Sequence, residues 1–400
     1  MKLNLSLFEA EKLIPFFRET MESMGMENLI SPGFISGSGR FLTLRSILKL
    51  RGIDRDTFEA SLNEKAKKSN NDELAKMQKK LNFLSLLPCG LRNPFKDAFS
   101  DFALIYKNEH PGFAWRIEGN VNHEISFYAN LETDADPSDL PDILITSDLN
   151  SLYHNQFRDK FLGKGIFTNI MPSKGNSIYR DIEFQDPNGE FSMLTCNPLV
   201  MVADLTRMEE DEIPVRWGNL LHSRFENRVI MRGDNDFFCN AVLLPVYKDF
   251  GLKGIRKMAR SIKRGLHPAQ MAKLAGTGSR EGAAIYIMPL FFANKIKKKE
   301  KVRIIWPVDG AIASPVQMLV KKEKIDEMSD VIEFITSNEL AKVLSAVDAP
   351  PWNPDVPYKS PYAGKLKWVG WEFINDNDLG KVKARIREEF MNVYDAERKG

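Results

Sequence analysis

Residues 195–204 read TCNPLVMVAD and residues 309–320 read DGAIASPVQMLV. Both runs are long and apolar, and both stand in the middle of the chain beside small or polar residues. The segment between them, residues 205–308, has the length and the alternating pattern of a complete α/β lobe. A chain that leaves one lobe, builds a second and then returns is predicted to form two lobes joined by two connectors.

This organisation sets the expected domain boundaries and predicts a cleft. Residues 81–204 and 309–400 are expected to form lobe 1 and residues 205–308 lobe 2, with a ligand held between them by hinge closure. Residues 1–65 are predicted to form a small all-α domain, because apolar residues recur there at helical spacing and Thr43 is a candidate N-cap. Residues 66–80 are strongly polar and are predicted to be a charged linker.

From Leu81 onward, short apolar runs alternate with amphipathic segments, which is typical of an α/β fold. The predicted strands are Phe83–Leu87, Asp142–Thr146, Leu199–Ala203, Arg228–Met231, Ala283–Met288, Val302–Trp306 and Pro315–Val320. The predicted helices are Pro94–Tyr106, Pro214–Leu221, Phe237–Tyr247, Leu252–Lys263, Ile325–Ile335, Asn338–Ala346 and Leu379–Tyr394.

Composition and charge argue against several classes of partner. The 56 basic and 54 acidic residues give a net charge of +2, so we expect no nucleic-acid binding. No apolar stretch approaches 18 residues, and we expect no membrane insertion. The three cysteines lack zinc-ligand spacing, so neither a metal nor another cofactor is predicted. The acid-bearing N-terminus does not read as a secretory signal, which predicts a cytoplasmic protein, or a periplasmic or extracellular one if a signal was removed.

The glycine-rich stretch GTGSREGAAIYIMPL, residues 276–290, invites comparison with phosphate-binding loops. No Lys-Ser or Lys-Thr follows Gly282, and the order is helix, loop, strand, whereas a dinucleotide fingerprint needs strand, loop, helix. Two interpretations remain open. The loop either turns the chain from helix to strand, or presents the hydroxyls of Thr277 and Ser279 to the cleft, with Arg280 as an anion partner.

Other candidate ligand-binding residues lie at the ends of strands and the starts of helices. Ser147 and Asp148 end the strand in PDILITSD, where α/β sheets place ligands, although Asp148 can instead cap the next helix. Asp234 and Asn235 open a helix, as caps or as part of an anion site. Cys89 follows the first strand of lobe 1 and either faces the cleft or is buried. Asn197 and Asp309 belong to the two connectors and complete the predicted walls of the cleft.

No catalytic constellation is evident in the sequence. There is no G-x-S-x-G elbow and no HExxH motif, and the five histidines are scattered. We therefore assign no catalytic residue and interpret the chain as a binding protein. The alternative of an enzyme built on the same fold stays open, because catalytic triads assemble in space rather than in sequence.

Several stretches, taken in order, resemble the type 2 periplasmic binding proteins, the solute-binding components of iron(III)-type and phosphonate-type ABC transporters. They are PDILITSD, CNPLVMVADL, PVRWGNLL, NRVIMRGDND, GSREGAAIYIMPLFFANKI and VRIIWPVDGAIASPVQMLV. The resemblance covers about residues 81–395. It implies a two-lobed fold with ligand positions at Cys89, at Ser147 and Asp148, at Asp234 to Asp236, and at Tyr286. Iron-binding members typically use two adjacent tyrosines and this chain has no such pair, so the implied ligand is a small anion, a metal–anion complex or an organic metabolite.

The N-terminal stretch GRFLTLRSILKLRGIDRDTFEASLNE is similar to the small helical domain associated with hybrid-cluster and redox-disulfide proteins. This resemblance implies an adaptor that docks a protein partner. Beside the enzyme alternative, two roles remain open for the whole chain. One is a transport receptor, and the other is an intracellular sensor or carrier of a metabolite.

Overall fold

The computed structural model describes residues 5–13, 17–53, 57–58, 61, 81–119, 136–233, 238–362 and 364–399. By their mutual contacts the described residues divide into two compact units, residues 5–61 and residues 81–399. The predicted linker at 66–80 lies outside the described residues. No helix in the described part of the chain is both long and apolar enough to cross a membrane.

The N-terminal unit is a small helical domain around its own apolar core. Its helices are α1 (Leu7–Leu13), α2 (Phe17–Ser23), α3 (Pro32–Ser36) and α4 (Leu44–Leu50). Thr43 is the N-cap of α4, and its hydroxyl accepts a hydrogen bond from the Ser46 amide at 3.2 Å, as the sequence predicts. The core includes Phe17 and Phe58, whose ring centroids are 6.4 Å apart.

The second unit contains ten strands in the described residues. They are β1 (Phe83–Leu87), β2 (Trp115–Gly119), β3 (Ile143–Ser147), β4 (Phe191–Asp204), β5 (Val229–Met231), β6 (Ile262–Gly265), β7 (Ile285–Pro289), β8 (Val302–Ile305), β9 (Ala311–Val320) and β10 (Leu366–Lys367).

Nine α-helices in the described residues cover these strands. They are α5 (Cys89–Glu109), α6 (Asn155–Phe161), α7 (Asn240–Ser261), α8 (Pro268–Leu274), α9 (Leu290–Ala293), α10 (Ser329–Thr336), α11 (Asn338–Ala346), α12 (Trp371–Asp376) and α13 (Leu379–Lys399).

The strands follow the order β2-β1-β3-β9-β4-β7-β5-β6, with β10 paired to β9 and β8 paired to β4. The β1–β2, β1–β3, β5–β6 and β5–β7 pairs are parallel, whereas β9 is antiparallel to both β3 and β4. Parallel strands covered on both faces read as continuous apolar runs, which explains why β1, β3 and β7 are buried at every position.

Two long strands connect the lobes of this fold. β4 pairs with β9 along Phe191–Leu199, and from Leu199 to Ala203 it pairs instead with β7. The second half of β9, Val316–Val320, also pairs with β3. Each strand therefore belongs to the sheet of lobe 1 at one end and leads toward lobe 2 at the other. The two-lobed α/β architecture predicted from these runs is confirmed.

The C-terminal helix α13 packs along α7. Arg256 of α7 pairs with Glu389 of α13, and Arg260 pairs with Glu397 at 3.4 Å. These solvent-accessible pairs are individually weak. Ile386 and Phe390 of α13 are buried.

Local structure agrees with the sequence expectations along α7 and departs from them elsewhere. The predicted helices Phe237–Tyr247 and Leu252–Lys263 correspond to two helical segments of α7 that meet at a kink at Gly251 (φ 59°), and Phe237 itself lies outside the described residues. The segment Pro214–Leu221 forms a 3-10 helix only at Trp217–Leu221. Strand β2 is unexpected from the sequence because its residues are half-exposed and include Arg116 and Glu118.

Candidate functional site

A small pocket opens beside the connecting strands β4 and β9. Ends of strands and starts of helices from both lobes surround it. Its free volume is about 60 Å³. The residues that line it are Pro88, Cys89, Ser147, Asp148, Asn197, Leu199, Arg232, Cys239, Val242, His267, Pro268, Ile287, Pro289, Phe292 and Ser314. The first four fall in the range expected to form lobe 1, and Arg232 to Phe292 fall in the range expected to form lobe 2. Asn197, Leu199 and Ser314 lie on β4 and β9.

The first turn of helix α5 forms one wall of the pocket. Pro88 ends the turn after β1 in extended conformation (φ −60°, ψ 150°), and Cys89 begins the helix. The amide groups of a helix's first turn have no partner within the helix and carry partial positive charge. A Cβ at Gly90 would lie 2.8 Å from the ring of Phe291, so only glycine permits this approach between α5 and α9 without a shift of the ring.

A thiol–imidazole contact crosses the pocket. The Cys89 Sγ lies 3.8 Å from His267 Nε2. His267 is the N-cap of α8, and its Nδ1 accepts a hydrogen bond from the Ala269 amide at 3.1 Å. Because Nδ1 is an acceptor, the neutral ring carries its proton on Nε2 and points a donor toward Cys89. Burial, and then the nearby Arg232 guanidinium, lower the pKa of His267 and favour this neutral form.

Arg232 and Cys239 form the facing wall at the start of helix α7. The Cys239 amide donates to the Arg232 carbonyl at 3.0 Å, which holds these two residues together. Burial raises the pKa of the Cys239 thiol to about 11, an effect that Asp148 increases and Arg232 opposes. The thiol is therefore protonated at neutral pH, and Arg232 is the permanent cation of the pocket.

The end of strand β3 contributes Ser147 and Asp148. The Ser147 hydroxyl donates to the Leu86 carbonyl at 3.3 Å. Asp148 has a positive φ of 66°, and its carboxylate accepts from the Leu149 amide at 2.9 Å. Gln317 of β9 donates to the Asp148 carbonyl at 3.0 Å and holds this turn against the connecting strand. A strained, strongly anchored aspartate at a strand end is typical of a functional site.

The two connecting strands form the floor of the pocket. Asn197 of β4 and Ser314 of β9 are directly paired in the antiparallel register, so both polar side chains stand at the same level of the sheet. Ser314 is buried and Asn197 is half-buried. They add neutral hydrogen-bonding groups to a floor that is otherwise apolar.

The structure thus brings Cys89, Ser147, Asp148 and Asn197 together, and it places the other described candidates elsewhere. Thr277 lines a separate groove with four lysines, and its hydroxyl donates to the Leu274 carbonyl at 2.6 Å. The Ser279 hydroxyl accepts from the Glu281 amide at 3.3 Å. The Tyr286 hydroxyl is buried and accepts from the Ala283 amide at 3.2 Å. Asp309 accepts from the Trp217 amide at 3.3 Å, and Asp234 and Asn235 lie outside the described residues.

Arg232, His267, Cys239 and Ser314 are pocket residues that the sequence analysis does not assign. Arg232 directly follows β5, and His267 precedes a proline at a helix start, so a search for polar residues at element ends could have found both. Among the described residues, no group of three His, Cys, Asp or Glu side chains is arranged to hold a metal ion.

The charges around the pocket favour an anionic ligand. Two helices of 21 and 22 residues, α5 and α7, begin there, and Arg232 adds a full positive charge. Asp148 is the sole carboxylate among the lining residues that the structure describes. The pocket thus combines two helix N-termini and one guanidinium with a single carboxylate, an arrangement that suits a small oxyanion or carboxylate.

Comparison with solved structures finds the same fold in proteins whose structures are described as ferric binding or iron-bound. One is the Trichodesmium protein IdiA (FutA) in complex with iron and citrate (15% identity, 78% of this chain and 98% of that chain covered, TM-score 0.55). Another is a ferric binding protein from Campylobacter jejuni (14%, 79% and 98%, 0.55). A third is iron-bound HitA from Pseudomonas aeruginosa (14%, 78% and 98%, 0.53). Identities this low show a shared fold alone, and no curated protein matches the sequence.

A family model described as "Bacterial extracellular solute-binding protein" matches residues 138–377, more than half of the chain. That description does not support the expected cytoplasmic location, which rested on the N-terminal sequence. It agrees with the interpretation of the cleft as a place for solute binding rather than catalysis. With this match and the two-lobed fold around a polar pocket, the chain belongs to the bacterial extracellular solute-binding proteins.

Proposed function

We propose that the pocket between the lobes binds a small anionic solute and that the two lobes close over it. The observation that carries this proposal is the convergence of the first turns of α5 and α7 with Arg232 at one pocket. The Nε2–H of His267 supplies a further donor. Contacts to both lobes by one anion would favour the closed conformation over the open one.

The volume of the pocket narrows the class of solute. A cavity needs about 10–15 Å³ of free volume for each water-sized group, so about 60 Å³ accommodates roughly four to six non-hydrogen atoms. This size fits a simple oxyanion or a short carboxylate. A larger anion such as citrate would require the lobes to stand further apart.

A bare ferric ion is a poorer match for the pocket. Ferric iron prefers hard oxygen ligands such as phenolates and carboxylates. No tyrosine is among the described lining residues, and the single carboxylate, Asp148, already accepts the Leu149 amide. From the iron and the citrate named for the Trichodesmium protein we therefore infer only the class of ligand for this chain, an anion or a metal–anion complex.

Isothermal titration with phosphate, sulfate, acetate and citrate tests this function. We expect one of the small oxyanions to bind, and Arg232→Gln to weaken binding by about tenfold or more, because a charge-assisted hydrogen bond contributes about 1.5–3 kcal/mol. Arg280→Gln is the matched control, since Arg280 is exposed and does not line the pocket. Equal loss in both variants, or none in either, would argue against the assignment.

Hinge closure has its own measurement. Scattering profiles recorded without and with a saturating small oxyanion should differ, with a smaller radius of gyration in the bound state. Superimposable profiles at saturation would contradict closure even if the anion binds.

We propose an extracytoplasmic site of action, in keeping with the family, and delivery of the solute to an ABC-type permease. Fractionation of cells that produce the natural gene product, with a cytoplasmic enzyme as the marker, locates the protein. Recovery with the cytoplasmic marker would instead favour an intracellular sensor or carrier.

We also propose that the N-terminal helical unit is an adaptor for a protein partner, similar to the hybrid-cluster-associated helical domain. Two large apolar side chains, Phe41 and Leu50, are 86% and 79% exposed on it. Immobilised residues 1–65 should retain a partner that the Phe41→Ser, Leu50→Ser double variant does not. Identical retention by both would remove support for this surface.

A further inference from the structure

A second cavity lies between α7 and α13, and the solute-binding function does not use it. Its free volume is about 220 Å³. Its lining residues are His154, Phe238, Asn240, Leu243, Gly380, Lys383, Ala384, Arg387, Phe390 and Met391. None of the ten lines the pocket between the lobes.

The interior of this cavity is apolar and shaped by aromatic rings. Phe238, Leu243 and Phe390 are buried, and the Phe238 and Phe390 ring centroids lie 4.7 Å apart. Met391 adds a flexible thioether that adapts to different shapes. A dry apolar cavity of about 150 Å³ is enough to hold benzene, so this larger cavity has room for a single ring with a substituent.

Two cations stand on the α13 side of the cavity. Lys383 and Arg387 are four residues apart on the helix, so they occupy the same face. The Lys383 ammonium donates to the Leu149 carbonyl at 2.8 Å, which holds it in place. Arg387 is exposed, and within the described part of the chain no acidic side chain forms an ion pair with it.

A further charged group near the cavity is Asp378, which acts on His154 but is not a lining residue. No aspartate or glutamate is among the described lining residues. His154 lies at the lining with its pKa lowered to about 3, chiefly by burial and secondly by Lys383, so its ring is neutral near pH 7. Asn240 is uncharged. The cavity therefore combines an apolar body with a cationic rim.

We propose that this cavity is a second ligand site, which takes a small organic carboxylate with an apolar body, such as a monocyclic aromatic acid. The ring packs against the apolar wall formed by Phe238, Leu243 and Phe390. The carboxylate meets Arg387 and Lys383, where a guanidinium can bind both oxygens. The site is distinct from the cleft, because its cations belong to α13 and the cation of the cleft is Arg232.

Titration with phenylacetate, and with the uncharged 2-phenylethanol as its partner probe, tests the site on the full chain. Phenylacetate should bind at least tenfold more tightly than 2-phenylethanol. Arg387→Gln should lower the phenylacetate affinity about tenfold. Arg385→Gln, a neighbouring exposed arginine on α13 that does not line the cavity, should leave it unchanged.

Two further measurements show which of the two sites the ligand occupies. With ¹³C-labelled methionine methyl groups, phenylacetate should shift the Met391 signal, assigned by Met391→Leu. Binding that survives Arg232→Gln separates this site from the cleft. Loss of phenylacetate binding in Arg232→Gln but not in Arg387→Gln would place the ligand in the cleft and overturn the inference. The inference would also be overturned if phenylacetate did not bind, or if it bound with the same affinity as 2-phenylethanol.

Discussion

At the level of single residues, His154 has the most strongly shifted histidine pKa among the described residues. Its pKa is lowered from 6.5 to about 3, chiefly by burial and secondly by the Lys383 ammonium, and Asp378 partly opposes both effects. The native protein therefore keeps the ring neutral at pH values where an unfolded chain protonates it. This difference links the stability of the fold to pH.

The free energy of unfolding should fall as the pH decreases from about 6.5 toward 3. In this window the unfolded state takes up a proton that the native state does not, and at pH 5 the loss from this residue is about 2 kcal/mol. His154→Gln should flatten this part of the curve, measured by urea unfolding at a series of pH values. His222→Gln, at an exposed position, is the control. Parallel curves for wild type and His154→Gln would contradict the assignment.

Lining residues of the pocket between the lobes could be found from the sequence where they stand at the end of a strand. Ser147 and Asp148 come directly after an apolar run, and Cys89 comes after the first strand of lobe 1. His267 was not predicted, because its role depends on a contact with Cys89, 178 positions away along the chain. Thr277 and Ser279 looked equally suitable from local chemistry, but their loop faces another part of lobe 2.

At the level of secondary structure, helix α7 is bent by a single glycine. Gly251 has φ 59° and ψ −161°, a backbone region that is open essentially to glycine alone. No atom lies within 4 Å of a Cβ added there. A side chain at this position would therefore destabilise the fold through unfavourable backbone dihedral angles and not through a steric clash.

Gly251→Ala should lower the free energy of unfolding by about 1–3 kcal/mol. The control is Gly112→Ala, which adds the same methyl group in open space at a glycine without positive φ. That substitution should be neutral or slightly stabilising, because alanine reduces the freedom of the unfolded chain. Equal stability of the two variants in urea unfolding would mean that α7 accommodates an ordinary helical residue at its bend.

Strands were predictable to the extent that they are buried. β1 (FLSLL) and β7 (IYIMP) have buried side chains on both faces, and their apolar runs are visible in the sequence. In the part of the chain that the structure describes, β2 (WRIEG) pairs only with β1. Its partial exposure and its two charged residues hide it in the sequence. The break of α7 into two helical segments at Gly251 was predictable, because a glycine normally ends a helix.

At the level of the whole molecule, the two connecting strands make the lobes structurally interdependent. The expected lobe 2, residues 205–308, contains β7 and β8, but β4 pairs with both and lies before residue 205. A fragment of residues 205–308 should therefore be unfolded, with narrow amide proton dispersion in its NMR spectrum. Residues 81–400 under the same conditions should give a dispersed spectrum. A dispersed spectrum from the short fragment would show that lobe 2 needs no strand from outside.

The pairing of β3 with β9 also has a consequence during synthesis of the protein. Residues of β3 leave the ribosome 173 positions before the end of β9 at Val320. At a synthesis rate of about 5–20 residues per second, β3 remains without its partner β9 for roughly 10–35 s. An apolar strand with an open edge is a site for wrong pairing, so the nascent chain should depend on a holding chaperone during that interval.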